Sequence, residues 1–256
     1  MTRVHVLCKP SWKGLLPNTS IMATYALSDA TREDAQAIAN LFALSWTSPF
    51  TQLQFGHVDP PTLAKSMAPA IERHMAKPHS RFIVMRHGET GEVAAVAQWA
   101  MPAPGSTEEH PPETAEQKAE RQRFEDEGYR NRLPESSNKD LIMEFTVGLR
   151  ELREEVLRGR KHFLLENIAT HPEHRGKGLA SKLIEWVFPQ ADEQKAVVYL
   201  DTASDNSAMR LYKKLGFEEK GSNAIGDLNR YGGEGSETHV ALLRPPSTYC
   251  RSSLKH

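Results

Sequence analysis

Cysteine is nearly absent: Cys8 and Cys250 are the only two, and both stand near the ends of the 256-residue chain. They offer no disulfide framework and suit a reducing compartment. Net charge is nearly absent too, with 32 Lys and Arg against 33 Asp and Glu. A general nucleic-acid binder carries a basic surplus, so no nucleic-acid partner is expected. No apolar run approaches the ~20 residues of a membrane span. Residues 1–20 hold no sustained apolar stretch of the kind a secretory signal needs. A cytoplasmic protein without a membrane partner is the expectation. A chain of this length can build one sizeable core.

The rest of the chain is organised around residues 162–180, HFLLENIATHPEHRGKGLA. Phe163, Leu164, Leu165, Ile168 and Ala169 read as a buried strand that Pro172 ends. Arg175-Gly176-Lys177-Gly178 then leads into a helix with Leu179, Leu183, Ile184, Val187 and Phe188 on one face. A helix start exposes unpaired N–H groups and partial positive charge, and glycines let a phosphate approach the backbone. Successive N–H groups can wrap an anion, and Arg175 and Lys177 add charge. The stretch is expected to bind a phosphorylated ligand, most simply a pyrophosphate.

Two nucleotide motifs compete for it. The P-loop spacing with its Lys-Ser/Thr is absent. A Rossmann fingerprint is closer: Gly176 and Gly178 fit, the sixth position is Ser181, and Asp201 ends the next apolar strand. Against it, residues 170–175 separate strand from glycines, and few further βα repeats follow.

Arg175-Gly176-Lys177-Gly178-Leu179-Ala180 resembles the R/Q-x-x-G-x-G/A signature of the GNAT superfamily of N-acetyltransferases. Asn206, Ala208, Tyr212, Gly216 and Phe217 resemble the family's second segment, N-x-x-A-x-x-x-Y-x-x-x-G-F, with Ala208 one position early. The resemblance is sharp over residues 163–221 and loose over 22–101. It implies the GNAT fold: an α/β protein with one central mixed sheet, helices on both faces, and two central parallel strands that part to admit acetyl-CoA. No metal is implied, and His171 and His174 alone in a Pro turn do not make a metal site.

In chain order, residues 1–21 read as a flexible arm and 22–245 as the acetyltransferase domain. A short strand covers 23–27, with Asp29 or Thr31 as cap for the helix carrying Ile38, Leu41, Phe42 and Trp46. A second helix covers 62–76. Residues 81–87 and 93–101 form a hairpin around Gly88-Glu89-Thr90-Gly91. Residues 102–138 form a polar insertion, with an exposed helix over 115–127 and Phe124, Tyr129 and Leu133 as lid candidates. A helix over 141–157 precedes the central stretch. A strand over 196–200, a helix capped by Ser204 or Asp205 and stopped by Gly216, a loop over 221–235 and a strand over 239–243 follow. Residues 246–256 read as a loose tail.

The resemblance implies an acetyl-CoA-dependent transfer to a primary amine, with a small-molecule acceptor as the first expectation. A protein or peptide acceptor, a non-catalytic CoA-binding role and, last, a dinucleotide oxidoreductase stay open. So do monomer and homodimer. The expected cofactor contacts are Ile168, Ala169, Thr170, Arg175, Gly176, Lys177, Gly178, Leu179, Ala180, Ser181 and Asn206. The strand's backbone N–H groups at 168–170 would serve the pantetheine arm and the developing oxyanion. By its motif position Tyr212 is the candidate acid for the leaving thiolate, with a core aromatic as the alternative. Glu166, a carboxylate inside an apolar strand, is the candidate base, with a structural ion pair as the alternative; Asp201 is a second candidate. Trp46, Phe50, Phe55 and Trp99 are candidate acceptor contacts, with the core as the favoured place for Trp99.

Overall fold

The computed structural model describes residues 24–102 and 114–247. The expected arm over 1–21, part of the insertion and nearly all of the tail lie outside the described residues. Strands β1 Tyr25–Asp29, β2 Ser80–His87, β3 Val93–Ala100, β4 His162–Thr170, β5 Val197–Ala203, β6 Glu218–Ile225 and β7 Glu237–Arg244 make one sheet in the order β1-β2-β3-β4-β5-β7-β6. All neighbours are antiparallel except β4 and β5, so the sheet is mixed. One parallel pair is not a doubly wound sheet, and the Rossmann alternative falls on topology.

Helices α1 Ala35–Ser45, α2 Pro49–Phe55, α3 Pro60–Met75, α4 Ala115–Arg132, α5 Lys139–Leu157, α6 Leu179–Glu185, α7 Phe188–Glu193 and α8 Met209–Lys214 pack around the sheet. Alternation along the strands divides the core between two faces. Phe163, Leu165, Val198 and Leu200 turn toward Leu179, Leu183, Ile184 and Val187 around α6 and α7. Burying each such side chain fully contributes about 1.5–3 kcal/mol. On the other face, α1 and α3 cover Phe82, Val84 and Val96 with Ile38, Phe42 and Ile71. There α5 covers Leu164, Tyr199 and Leu243 with Leu152 and Leu157.

Local chemistry sets most helix starts. Ser48 and Asp59 each accept a backbone N–H ahead of a Pro at the next position, which begins α2 and α3. Thr114 and Gln117 form a capping box at α4. Gly216 stops α8 with φ +87°. Gly216→Ala forces a side chain into the left-handed region, and we expect a loss of about 1 kcal/mol in urea denaturation.

Several expectations need correction. The first strand runs two residues later than expected. The stretch before Pro60 contains α2, a short helix hidden by its lack of a repeated stripe. The expected loop over 221–235 begins as β6, an exposed edge strand. Its Gly221 is there for close packing, because a Cβ would meet Leu152 Cδ1 at 3.1 Å and Val156 Cγ2 at 3.3 Å. No side chain caps α8, neither Ser204 nor Asp205; Asn206 Oδ1 accepts the Ala208 N–H at 2.9 Å in the turn before it. The polar helix α4 forms and buries no residue. It is tied to α5 through Arg150–Asp126 and Lys118–Glu154. Phe124 is 78% exposed, so it covers nothing.

Candidate active site

The sheet opens at its centre. β4 and β5 pair only at His162–Val197, Phe163–Val198 and Leu164–Tyr199. Past Leu164 the strands part, while β4 stays paired to β3 as far as Thr170. The edge of residues 165–170 that faces β5 therefore has no ladder partner, and Ile168, Ala169 and Thr170 lie along it. A bulge accompanies the parting: Trp99 pairs Leu165 and Gln98 pairs Asn167, leaving Glu166 as the extra residue. Such an insertion bends the strand and re-aims side chains.

At the end of β4, the glycine turn reaches α6 as expected. Gly176 and Gly178 adopt φ +74° and +76°. A Cβ at either would meet nothing within 4 Å, so the turn is open on its outer side. The backbone N–H groups of residues 176–181 make no hydrogen bond among the described residues. This is a row of free donors at a helix start, an anion-binding arrangement. Arg175 Nε instead donates to Thr170 O at 3.3 Å, which braces the turn from within.

The floor beside the opening is polar. Gln98 is 4% exposed. Its Nε2 donates to Glu166 Oε2 at 2.7 Å, and its Oε1 accepts from Asn167 Nδ2 at 2.9 Å. His74 Nδ1 lies 3.3 Å from the same Nε2. Burial, then the charges of Lys77 and Arg73, hold His74 below its ordinary pKa, so it is neutral and can accept. Glu166 is the exposed residue of β4. Crowding by protein atoms still outweighs Arg153, the Gln98 amide and Lys77, and its carboxyl pKa is raised. Asp201, on β5, is raised for the same reason despite Arg153 at 3.5 Å. Arg153, from α5, also lies over the Tyr199 ring at 5.7 Å. Arg153 thus pairs with Asp201, and its charge also reaches Glu166. Gln98, His74 and Arg153 were missed in the sequence, where no motif marks them.

Tyr212 is 4% exposed, with its ring edge-on to Phe217. Burial raises its phenol to about 12. Its hydroxyl has no hydrogen-bond partner among the described residues. Asn206 Nδ2 donates to Thr202 Oγ1 at 2.7 Å, tying β5 to the turn before α8.

The aromatic candidates separate. Trp46 stacks between Phe42 and Phe55 at 6.1 and 5.9 Å. Phe50 is buried from α2 against Phe145 and His239 at 5.1 and 6.1 Å, so α2 bridges toward α5 and β7. Trp99 turns away from the polar floor. It is 0% exposed, in the core under α6, because its β3 position turns to the face opposite Gln98.

His239 is a further, partly buried group. Burial depresses its pKa to about 4. Its 3.1 Å contact with Glu237 is therefore a hydrogen bond donated by a neutral ring, not an ion pair. The unfolded imidazole titrates near 6.5, so the unfolded chain binds more protons between about pH 6.5 and 4. Stability should fall as pH drops through that window. His239→Gln should flatten the fall, read by denaturation midpoints at pH 7.5 and 5.

Two surface cavities lie away from the opening, at the far end of the sheet, lined by Met101, Arg160 and His162 and by Asp29, Ser80 and Arg81. Shape alone would point there, but neither brings together groups suited to acyl transfer. No group of three metal-ligating residues occurs among the described residues. No described helix is long and apolar enough to cross a membrane.

The family model for the acetyltransferase (GNAT) family matches residues 36–217. No curated protein matches the chain. Among solved structures, a mutant agmatine N-acetyltransferase in its apo form is 13% identical with a TM-score of 0.56, over 87% of this chain and 99% of that one. The protein described as histone acetyltransferase HPA2 and related acetyltransferase from Corynebacterium glutamicum is 19% identical with a TM-score of 0.52, over 89% and 99%. A mutant spermidine N-acetyltransferase from Vibrio cholerae is 16% identical with a TM-score of 0.50, over 90% and 98%. At such identities these likenesses speak for the fold. With the family model spanning most of its length, this chain belongs to the GNAT acetyltransferase family and is an acyltransferase.

Proposed function

We propose that the protein transfers acetyl from acetyl-CoA to the primary amine of a small molecule by direct attack on the thioester. The observation that carries this reading is the unpaired β4 edge. It leads into a turn of free N–H donors, and it carries Glu166, whose carboxyl pKa is raised, at its bulge. The acetyltransferase domain is proposed to span 22–245, in a cytoplasmic protein.

The residues present suit acetyl-CoA. The free N–H groups of 176–181 and the open space over Gly176 and Gly178 fit a pyrophosphate. The edge of 168–170 would hold the pantetheine arm through backbone hydrogen bonds. Bound acetyl-CoA supplies the thioester carbon and a thiolate leaving group. The free edge of β4 would donate to the carbonyl oxygen as negative charge develops there. An alkylammonium near pKa ~10 must lose a proton before attack. Glu166, oriented by Gln98, would take that proton directly or through water. Tyr212, which keeps its own proton at neutral pH, would give it to the sulfur.

Titration calorimetry with acetyl-CoA, CoA and NAD tests the cofactor, and a screen over amines, amino acids, polyamines and peptides tests the acceptor. NAD binding without CoA binding would overturn the reading, and acceptance of peptides alone would change the acceptor class. Glu166 provides a sharper check. Its raised pKa predicts that kcat/KM rises with pH through a value above that of an ordinary glutamate. Glu166→Gln should remove that rise and lower kcat/KM by about 10²-fold. An unchanged profile would leave Glu166 a structural partner of Gln98.

A further inference from the structure

The glycine turn has little packing to hold it. Nothing lies within 4 Å of where a Cβ would stand on Gly176 or Gly178, and both have the left-handed backbone freedom that glycine allows. Side chains tie it elsewhere. Lys177 Nζ, from the turn, donates to Tyr25 Oη at 3.0 Å and lies 5.6 Å from the Tyr25 ring centroid. Tyr25 Oη lies 2.7 Å from His174 Nδ1. Burial, then Lys177, His171 and His87, lower the His174 pKa, so its ring is neutral and Nδ1 can accept the phenol proton. The hydrogen bonds then run in one direction, from ammonium to phenol to imidazole. Tyr25 is itself rigid: it is buried in the core with α6 and lies edge-on to His87 at 5.3 Å. Among the described residues, the side chains of 174–178 hydrogen-bond no strand other than β4 except through Tyr25.

We infer that Tyr25 is a positioning residue for the cofactor turn, its hydroxyl latching Lys177 and His174 to the first strand of the sheet. This rests on the turn binding acetyl-CoA, as proposed above. The latch orders the free N–H groups of 176–181 before the ligand arrives, so less ordering is left for binding to accomplish. It also gives Lys177 a different task from the one its charge suggests. Its ammonium is turned inward to hold the turn, and the backbone meets the phosphate.

The test is a double-mutant cycle on the acetyl-CoA Kd, measured by calorimetry on the full chain. Tyr25→Phe keeps the ring and removes the hydroxyl, and Lys177→Met keeps the stem and removes the charge. Each should raise Kd about tenfold, the scale of one or two hydrogen bonds. The double variant should be no weaker than either single one, because both break one latch. Lys177→Arg, which can still donate to Tyr25, should restore Kd to within about threefold of wild type. A Tyr25→Phe Kd equal to wild type would overturn the latch, and so would single effects that multiply to about a hundredfold in the double variant. Gly178→Glu separates the two levels of failure. If it abolishes binding while Tyr25→Phe does nothing, only the latch is wrong. If it binds normally, the turn is not the cofactor site and both readings fall.

Discussion

Gly178→Glu should abolish measurable acetyl-CoA binding, weakening it by more than about a hundredfold. Two effects combine. Gly178 holds φ +76° at the start of α6, a conformation that costs an ordinary residue about 1–2 kcal/mol. The larger effect is electrostatic. The new carboxylate would stand among the free N–H groups of 176–181, where a pyrophosphate would sit, and like charges in one small site repel strongly. A Cβ here meets nothing within 4 Å, so the chain should still fold, which circular dichroism checks. A calorimetric Kd within a few fold of wild type would remove the turn from the cofactor site.

Tyr212→Phe should lower kcat by about 10²-fold while the acetyl-CoA Kd stays within about twofold. The ring is buried against Phe217, and that packing survives in phenylalanine. The hydroxyl has no hydrogen-bond partner among the described residues, so its loss strands no buried group and stability should hardly change. A change in kcat would therefore report proton donation rather than folding. With the phenol raised to about 12, the wild-type group stays protonated through the working pH range. Its titration should produce no loss of activity below about pH 11. A variant with wild-type kcat would return Tyr212 to the role of a core aromatic.

The parts of this protein that could be read early are local in the chain. The strand, Pro turn, glycines and helix of 162–185 are contiguous, and each residue's chemistry declares its conformation: an apolar run for β4, positive φ at Gly176 and Gly178, and a helical stripe at Leu179, Leu183 and Ile184. The second segment from Asn206 to Phe217 is equally compact, down to the left-handed stop at Gly216. Misreadings came where one residue type serves two ends. Gly221 looked like a loop and proved to be a close approach of α5 to β6. Trp99 could face core or pocket by its strand position, and the orientation of β3 sends it to the core.

Sequence alone therefore carried the fold family, the glycine turn into α6 and the chain positions of Tyr212 and Glu166, because short-range pattern and chemistry specify them. The meeting of Gln98 with Glu166 across β3 and β4, of Arg153 with Asp201 from α5 to β5, and of Tyr25 with Lys177 across 152 positions was decided only by the folded chain. Strand order, the register slip at Glu166 and the parting of β4 from β5 bring these groups together. None leaves a periodic trace in the chain, since a period of two reports which face a residue takes and never which strand lies beside it.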